Sequence, residues 1–240
     1  MDDRGRATEA TKPPIFEMSE PGPAFANFVS GMRELQDLAV CAAPDEHVWE
    51  RAALHVTALR TLLRPHEAAE GNSPAGRCPS LPGAGSLLMP PWTIAALAPD
   101  RVELTVEYSR FYVGTHATVH GGVLPMLFDL VFGMAIYGAA LPFSRTARME
   151  VNYRRRVPID TQLTAHGRIS RTDGRKTEVT AELRHEDGSV LADSVGLLIA
   201  GAPSVDTQHP AELVETHCRV DGQPDTEDRS HLAAPVERRR

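Results

Sequence analysis

The run His120-Gly121-Gly122, with Asp129 seven residues after the second glycine, has the residue types of an acyl-transfer site. The glycines let the backbone approach a ligand closely, and they open a helix whose first N–H groups have no intrahelical partner. Such N–H groups, reinforced by the positive end of the helix dipole, suit an oxyanion. Asp129 follows in a stretch, 123–143, that is otherwise apolar or small. An ionised carboxylate is costly to bury there without compensation, and apolar surroundings would strengthen it as a base. The pair suggests a base facing an oxyanion site. Taken alone, the same residues also fit a helix N-terminus followed by one solvated Asp.

Further segments shift the balance. Thr146-Ala147-Arg148-Met149-Glu150-Val151-Asn152-Tyr153-Arg154-Arg155 follows the helix, then Val157-Pro158-Ile159, then Gly174-Arg175-Lys176. In this order and spacing, residues 86–200 resemble the PaaI-like branch of the hotdog-fold acyl-CoA thioesterases. The resemblance implies an acyl-CoA hydrolase with Asp129, His120, Gly122 and Thr146 as the catalytic set. Thr146 then matches a hydroxyl that orients the water or the carboxylate. It further implies that Gly121, Asn152, Arg154, Gly174, Arg175 and Lys176 hold the substrate, with the last five on the CoA portion. The subunits would form a homodimer or homotetramer in which His120 and Gly122 of one chain work with Asp129 of another. No metal and no organic cofactor is implied. Arg156 stands where the family commonly has Pro, which bears on how that strand end meets the nucleotide. His120 has two open roles, orienting the thioester or bonding the backbone to set the turn.

Composition is consistent with an anionic ligand. The 240-residue chain carries a formal net charge of −7, which argues against general nucleic-acid binding. Residues 145–176 nevertheless hold nine Arg or Lys against three acids, a local +6. The phosphates of CoA would suit such an island. Cys41, Cys78 and Cys218 are odd in number and lack metal-type spacing. The other nine histidines form no ligand cluster. The polar N-terminus lacks an apolar leader, and Pro125, Asp129, Gly133 and Gly138 interrupt the apolar run. A cytoplasmic protein without a membrane span is expected, its central helix fully buried.

Three regions are expected: a lead, helical hairpin and linker (1–85), a hotdog domain (86–200) and a disordered tail (201–240). Phe25, Phe28, Val29, Met32, Leu35 and Leu38 recur at helical spacing, as do Val48, Ala52, Val56, Leu59 and Leu63 after Pro44. These helices could lid an acyl tunnel, extend the dimer or bind a partner. Residues 66–85, rich in Gly, Pro and Ser, have the composition of a linker. Alternation predicts strands over 101–112, 146–153 (Ala147, Met149, Val151 and Tyr153 inward), 161–170, 175–184 and 189–200, with Asp173-Gly174 and Asp187-Gly188 turns. One strand, a helix and four meandering strands make an α+β fold, an antiparallel sheet around one helix. The favoured activity is hydrolysis of medium- to long-chain fatty acyl-CoA. An aryl-CoA thioesterase and a non-catalytic acyl-CoA-binding protein are the alternatives. Met126, Met134, Ala135, Gly138 and Ala139 are suited to lining a channel for an aliphatic chain.

Overall fold

A computed structural model of the chain describes residues 20–69 and 71–201. The expected lead and tail lie almost wholly outside them. Helix α1 (Pro23–Cys41) begins at a proline, whose missing N–H leaves no bond unmade in a first turn. Helix α2 (Glu46–Leu63) is capped by Asp45, which accepts from the Val48 N–H at 3.0 Å. The strands are β1 (Trp92–Ala98), β2 (Arg101–Glu107), β3 (Ser144–Tyr153), β4 (Gln162–Asp173), β5 (Lys176–Arg184) and β6 (Val190–Ala200). Helix α3 (Val123–Gly138) comes between β2 and β3. All pairings are antiparallel, in the order β1-β2-β4-β5-β6-β3. The result is the expected hotdog arrangement, one six-stranded sheet around one helix.

Packing explains that shape. Leu124, Leu127, Phe128, Val131, Phe132 and Ile136 of α3 are buried against alternating apolar residues of the sheet, among them Leu104, Leu163, Val179 and Leu198. Each such side chain contributes about 1.5–3 kcal/mol when fully buried. Two glycines set how closely helix and sheet approach. A Cβ on Gly167 would meet Val131 Cγ1 at 2.3 Å, and one on Gly196 would meet Phe132 Cε2 at 2.3 Å.

Several expectations need correction. The expected strand 101–112 ends at Glu107 and gives way to a short 3-10 turn, Arg110–Tyr112. Strand β1 was not expected, because its sequence is alanine-rich, lacks alternation and lies between prolines. The last four strands do not simply meander, since β3 crosses over to pair with β6 and leaves one side of itself open. Ala147 and Tyr153 are exposed, not inward. A bulge at Ala147, between Thr146 and Arg148, breaks the alternation of that edge strand.

Nor is α3 buried all round. Asp129 is exposed within the single chain, and Met126, Leu130, Gly133 and Tyr137 around it are half-buried. The sheet wraps only one side of the helix, so the Asp129 stripe opens outward. Both N-terminal helices are present. Arg33 and Asp37 of α1 bond the turn at 110–112, whereas α2 has no buried residue. Residues 76–90 pack as a wall and not as a spacer, with Cys78 and Ala84 buried. No helix among the described residues is long and apolar enough to cross a membrane.

Candidate active site

The His120-Gly121-Gly122 turn is held from four sides. The His120 N–H donates to the Tyr112 carbonyl at 2.8 Å, and the neighbouring Val119 N–H donates to Val157 O at 2.9 Å. The Tyr153 hydroxyl donates to Gly121 O at 3.0 Å. The Gly122 N–H donates to His120 Nδ1 at 3.1 Å. That last bond corrects one expectation, because the Gly122 amide is engaged by the imidazole two residues before it and is not waiting for an oxyanion. It also assigns the tautomer. With Nδ1 accepting, a neutral His120 carries its proton on Nε2 and offers that N–H as a donor from an exposed side chain.

Close neighbours favour the glycines. A Cβ on Gly121 would meet the Tyr153 ring at 3.3 Å, and one on Gly122 would meet His120 Nδ1 at 3.1 Å. Just upstream, His116 and Ala117 both sit at φ +54°, in a turn closed by Thr118 N–H on Thr115 O at 3.1 Å. Non-glycine residues in that region store strain. Here the strained turn ends at Thr118, two residues before the histidine of the site.

Asp129 and Thr146 come together at one cavity of about 1130 Å³. Its walls are mostly apolar: Met126, Leu130, Met134 and Tyr137 from α3, Leu141 and Phe143 after it, Met89 from the segment ahead of β1 and Trp92 at the start of that strand. Arg145 is the one cation in that lining. His120, Gly121 and Gly122 are not part of this lining. Gly122 and Asp129 stand about 10 Å apart along the axis of α3, from seven residues at the helical rise. One chain therefore has the carboxylate and hydroxyl at an apolar cavity, and the histidine turn elsewhere.

The residues expected to hold CoA divide as well. Asn152 Nδ2 donates to Asp193 Oδ1 at 3.0 Å, and Arg154 forms a two-point ion pair with Asp193 through Nε at 2.5 Å and Nη2 at 3.2 Å. The Arg154 bond holds the Asp193 carboxyl below the usual range, with Asn152 helping and partial desolvation opposing. At the opposite end of the sheet, Gly174 takes φ +56° in the β4–β5 hairpin. There the Arg175 side chain donates twice to Ala200 O, at 2.9 and 2.7 Å, while Lys176 is exposed. The length of β3 separates the two groups by about 30 Å. Among the described residues, no group of three His, Cys, Asp or Glu side chains is placed to hold a metal ion.

Two features were missed in the sequence. Tyr153 has a polar task on the histidine turn, which its place in an alternating strand disguised. The 76–89 wall had the composition of a linker, and nothing in that composition signals that it packs.

Residues 116–192 match the family model of the thioesterase superfamily. The chain is similar to acyl-coenzyme A thioesterase THEM4 of Bos taurus, 26% identical over 87 residues. That segment is 36% of this chain and spans only 35% of the relative. A crystal structure of a thioesterase superfamily protein superposes with a TM-score of 0.67 at 27% identity, covering 76% of this chain and 98% of that one. Such coverage exceeds the span of the sheet and α3, so the likeness extends into the N-terminal elements. The PaaI protein of E. coli aligns at 18% identity with a TM-score of 0.43, over 45% of this chain and 82% of that one.

Proposed function

We propose that this chain, a PaaI-like hotdog protein of the thioesterase superfamily, hydrolyses acyl-CoA to free acid and CoA, with medium- to long-chain aliphatic acyl groups preferred. The observation that carries the proposal is that Asp129 and Thr146 both line one large, mostly apolar cavity. A pure acyl-CoA binder needs the cavity but has no use for a carboxylate and a hydroxyl in its lining. The apolar lining fits an alkyl chain by burial of its methylenes.

In this mechanism Asp129 takes a proton from water while the water oxygen attacks the thioester carbonyl carbon. Thr146 orients that water or the carboxylate. The negative charge that develops on the carbonyl oxygen is met by the His120 Nε2–H, the Gly122 N–H being engaged by His120 Nδ1. Collapse of the tetrahedral intermediate breaks the C–S bond, and the departing CoA thiolate takes the proton that Asp129 removed from water, which restores the carboxylate.

One carbonyl cannot touch donor and base across about 10 Å. We therefore propose a two-fold homodimer, free or within a tetramer, in which the exposed α3 stripes face each other antiparallel. The histidine turn of each chain then meets Asp129 of the other. Antiparallel pairing of the open β3 edges would also bring the Gly174-Arg175-Lys176 turn of one chain to the Asn152 and Arg154 end of its partner, where CoA would bind. Edge pairing is the usual answer to an open strand. The acidic, span-free composition is in keeping with a cytoplasmic enzyme. A turnover series across acyl-CoA lengths, with a thiol-detecting reagent and an aryl-CoA for comparison, tests the proposal. Faster aryl-CoA turnover would move the preference to aromatic acids, and no turnover of any thioester would defeat the enzyme assignment.

A further inference from the structure

The cavity wall formed by residues 76–89 closes on itself through the Gly76 and Cys78 N–H groups, which donate to Ala84 O at 3.0 and 3.1 Å. It is tied to α1 by one guanidinium. Arg33 of α1 donates through Nη2 to three carbonyls of that wall: Pro82 O at 3.2 Å, Ser86 O at 2.7 Å and Met89 O at 3.2 Å. Its Nη1 reaches the Tyr112 hydroxyl at 3.4 Å, and that hydroxyl donates to Met89 O at 3.0 Å. Next to it on α1, Gln36 donates to Leu87 O at 3.4 Å, and Asp37 accepts the Phe111 N–H at 2.8 Å. The polar face of α1 thus straps the wall to the turn at 110–112. Tyr112 then carries the connection onward, since its carbonyl accepts the His120 N–H.

The wall is shaped to admit the guanidinium. Gly83 and Ala84 both take positive φ, 65° and 54°, which wraps the turn around Arg33. A Cβ on Gly83 would lie 2.6 Å from Arg33 Nη2 and 2.9 Å from Pro90 O. Gly83, Ala84, Ser86, Leu88 and Met89 of this segment all line the cavity that holds Asp129 and Thr146. An arginine fits the task because its planar guanidinium meets the wall carbonyls through Nη2 while Nη1 of the same plane reaches the Tyr112 hydroxyl.

We propose that Arg33 is a positioning residue that fixes the 82–89 wall of the acyl cavity, and through it the length of acyl chain that the enzyme accepts. This rests on the thioesterase assignment above. Loss of Arg33 leaves three wall carbonyls without their shared donor, and the wall then moves away from the chain it should contact. Long acyl groups, which reach the wall, lose more than acetyl, which does not.

The test compares wild type, Arg33→Met, Arg33→Lys and Gly83→Ala in the full chain. In Arg33→Met, the ratio of kcat/KM for palmitoyl-CoA to that for acetyl-CoA should fall by roughly 10-fold or more, the scale on which a pocket discriminates by one or two methylenes. Arg33→Lys should recover part of the ratio. Gly83→Ala should reproduce the loss from the other side of the contact. Amide hydrogen exchange of residues 76–89 gives a readout independent of activity, and it should speed up while exchange in α3 stays unchanged. Equal losses at every acyl length, or unchanged exchange in the wall, would overturn the proposal. If Arg33→Met fails to fold, Arg33→Lys and Gly83→Ala decide by the same two readouts. A wild type that hydrolyses no acyl-CoA would overturn the thioesterase assignment and the selectivity claim together, whereas the exchange data would still report whether Arg33 holds the wall.

Discussion

Asp129 was the most informative residue in the sequence, and its environment was the least well anticipated. Its isolation in an apolar segment marked it, but the segment could not tell which side of α3 the sheet covers. The Asp129→Asn variant keeps the shape and cannot accept a proton usefully, so kcat should fall by roughly 10²–10⁴-fold, the range for losing a general base. Steady-state turnover with an unchanged oligomer checks this, and wild-type turnover would remove Asp129 from the mechanism. The Asn152, Arg154 and Asp193 cluster was half legible. Both donors were singled out as ligands of CoA, but the carboxylate that binds them lies 39 residues beyond Arg154 and is brought there only by the β3–β6 register. Arg154 lowers the Asp193 pKa in the folded chain. Its contribution to stability is therefore full above the unfolded value of about 3.9 and is lost as pH falls through the lower folded value. Asp193→Asn should shift the urea midpoint slightly at pH 7, because the pair is exposed, and not at all in strong acid. A difference that already shrinks between pH 7 and pH 5 would contradict this assignment.

Strands that alternate over a fully covered face were readable, and the two edges of the sheet were not. Strands β4, β5 and β6 follow the pattern of their sequences, buried on one side and partly exposed on the other. At the edges the rules loosen. Strand β1 has alanines where alternation would need contrast, and β3 carries the bulge at Ala147 that turns Thr146 toward a different set of neighbours than simple alternation predicts. The glycines of the central strands are a stricter matter. In Gly196→Val the new side chain would press on Phe132, whose ring already lies where a Cβ would go. Such overpacking should cost about 1–3 kcal/mol, read from a denaturant titration. A neutral effect would mean that α3 can shift on the sheet. The two candidate CoA groups at opposite ends of β3 also differ. Arg154 is neutralised by Asp193, whereas Lys176 is exposed at the start of β5. Lys176→Ala should therefore raise KM for acyl-CoA more than Arg154→Ala does, with kcat little changed in both, because contacts to the nucleotide are similar in ground and transition states. The rise should vanish with a pantetheine thioester that lacks the nucleotide.

At the scale of the whole molecule, one chain keeps the two residue groups of the proposed site apart. Asp129 and Thr146 border the cavity, His120 and the Gly-Gly turn stand about two helical turns away, and among the described residues no strand pairs with the outer edge of β3. The proposed two-fold pairing would unite the two groups twice over, once at each end of the paired helices. That geometry makes a sharp prediction for mixed subunits. Take Asp129→Asn and His120→Ala as two preparations, each with little activity of its own. After denaturation and joint refolding in equal amounts, half of the dimers are mixed. Each mixed dimer has one site that lacks both residues and one in which His120 of one chain faces Asp129 of the other. Intact sites then amount to roughly a quarter of all sites, and turnover should recover to that fraction of wild type. Were the working pair drawn from a single chain, every site in the mixture would carry a lesion and no activity would return. Sedimentation at the assay concentration fixes the state of assembly in the same experiment. A fully active monomer would end the composite-site argument, because the remaining separation of donor and base would have to be closed by motion within one chain.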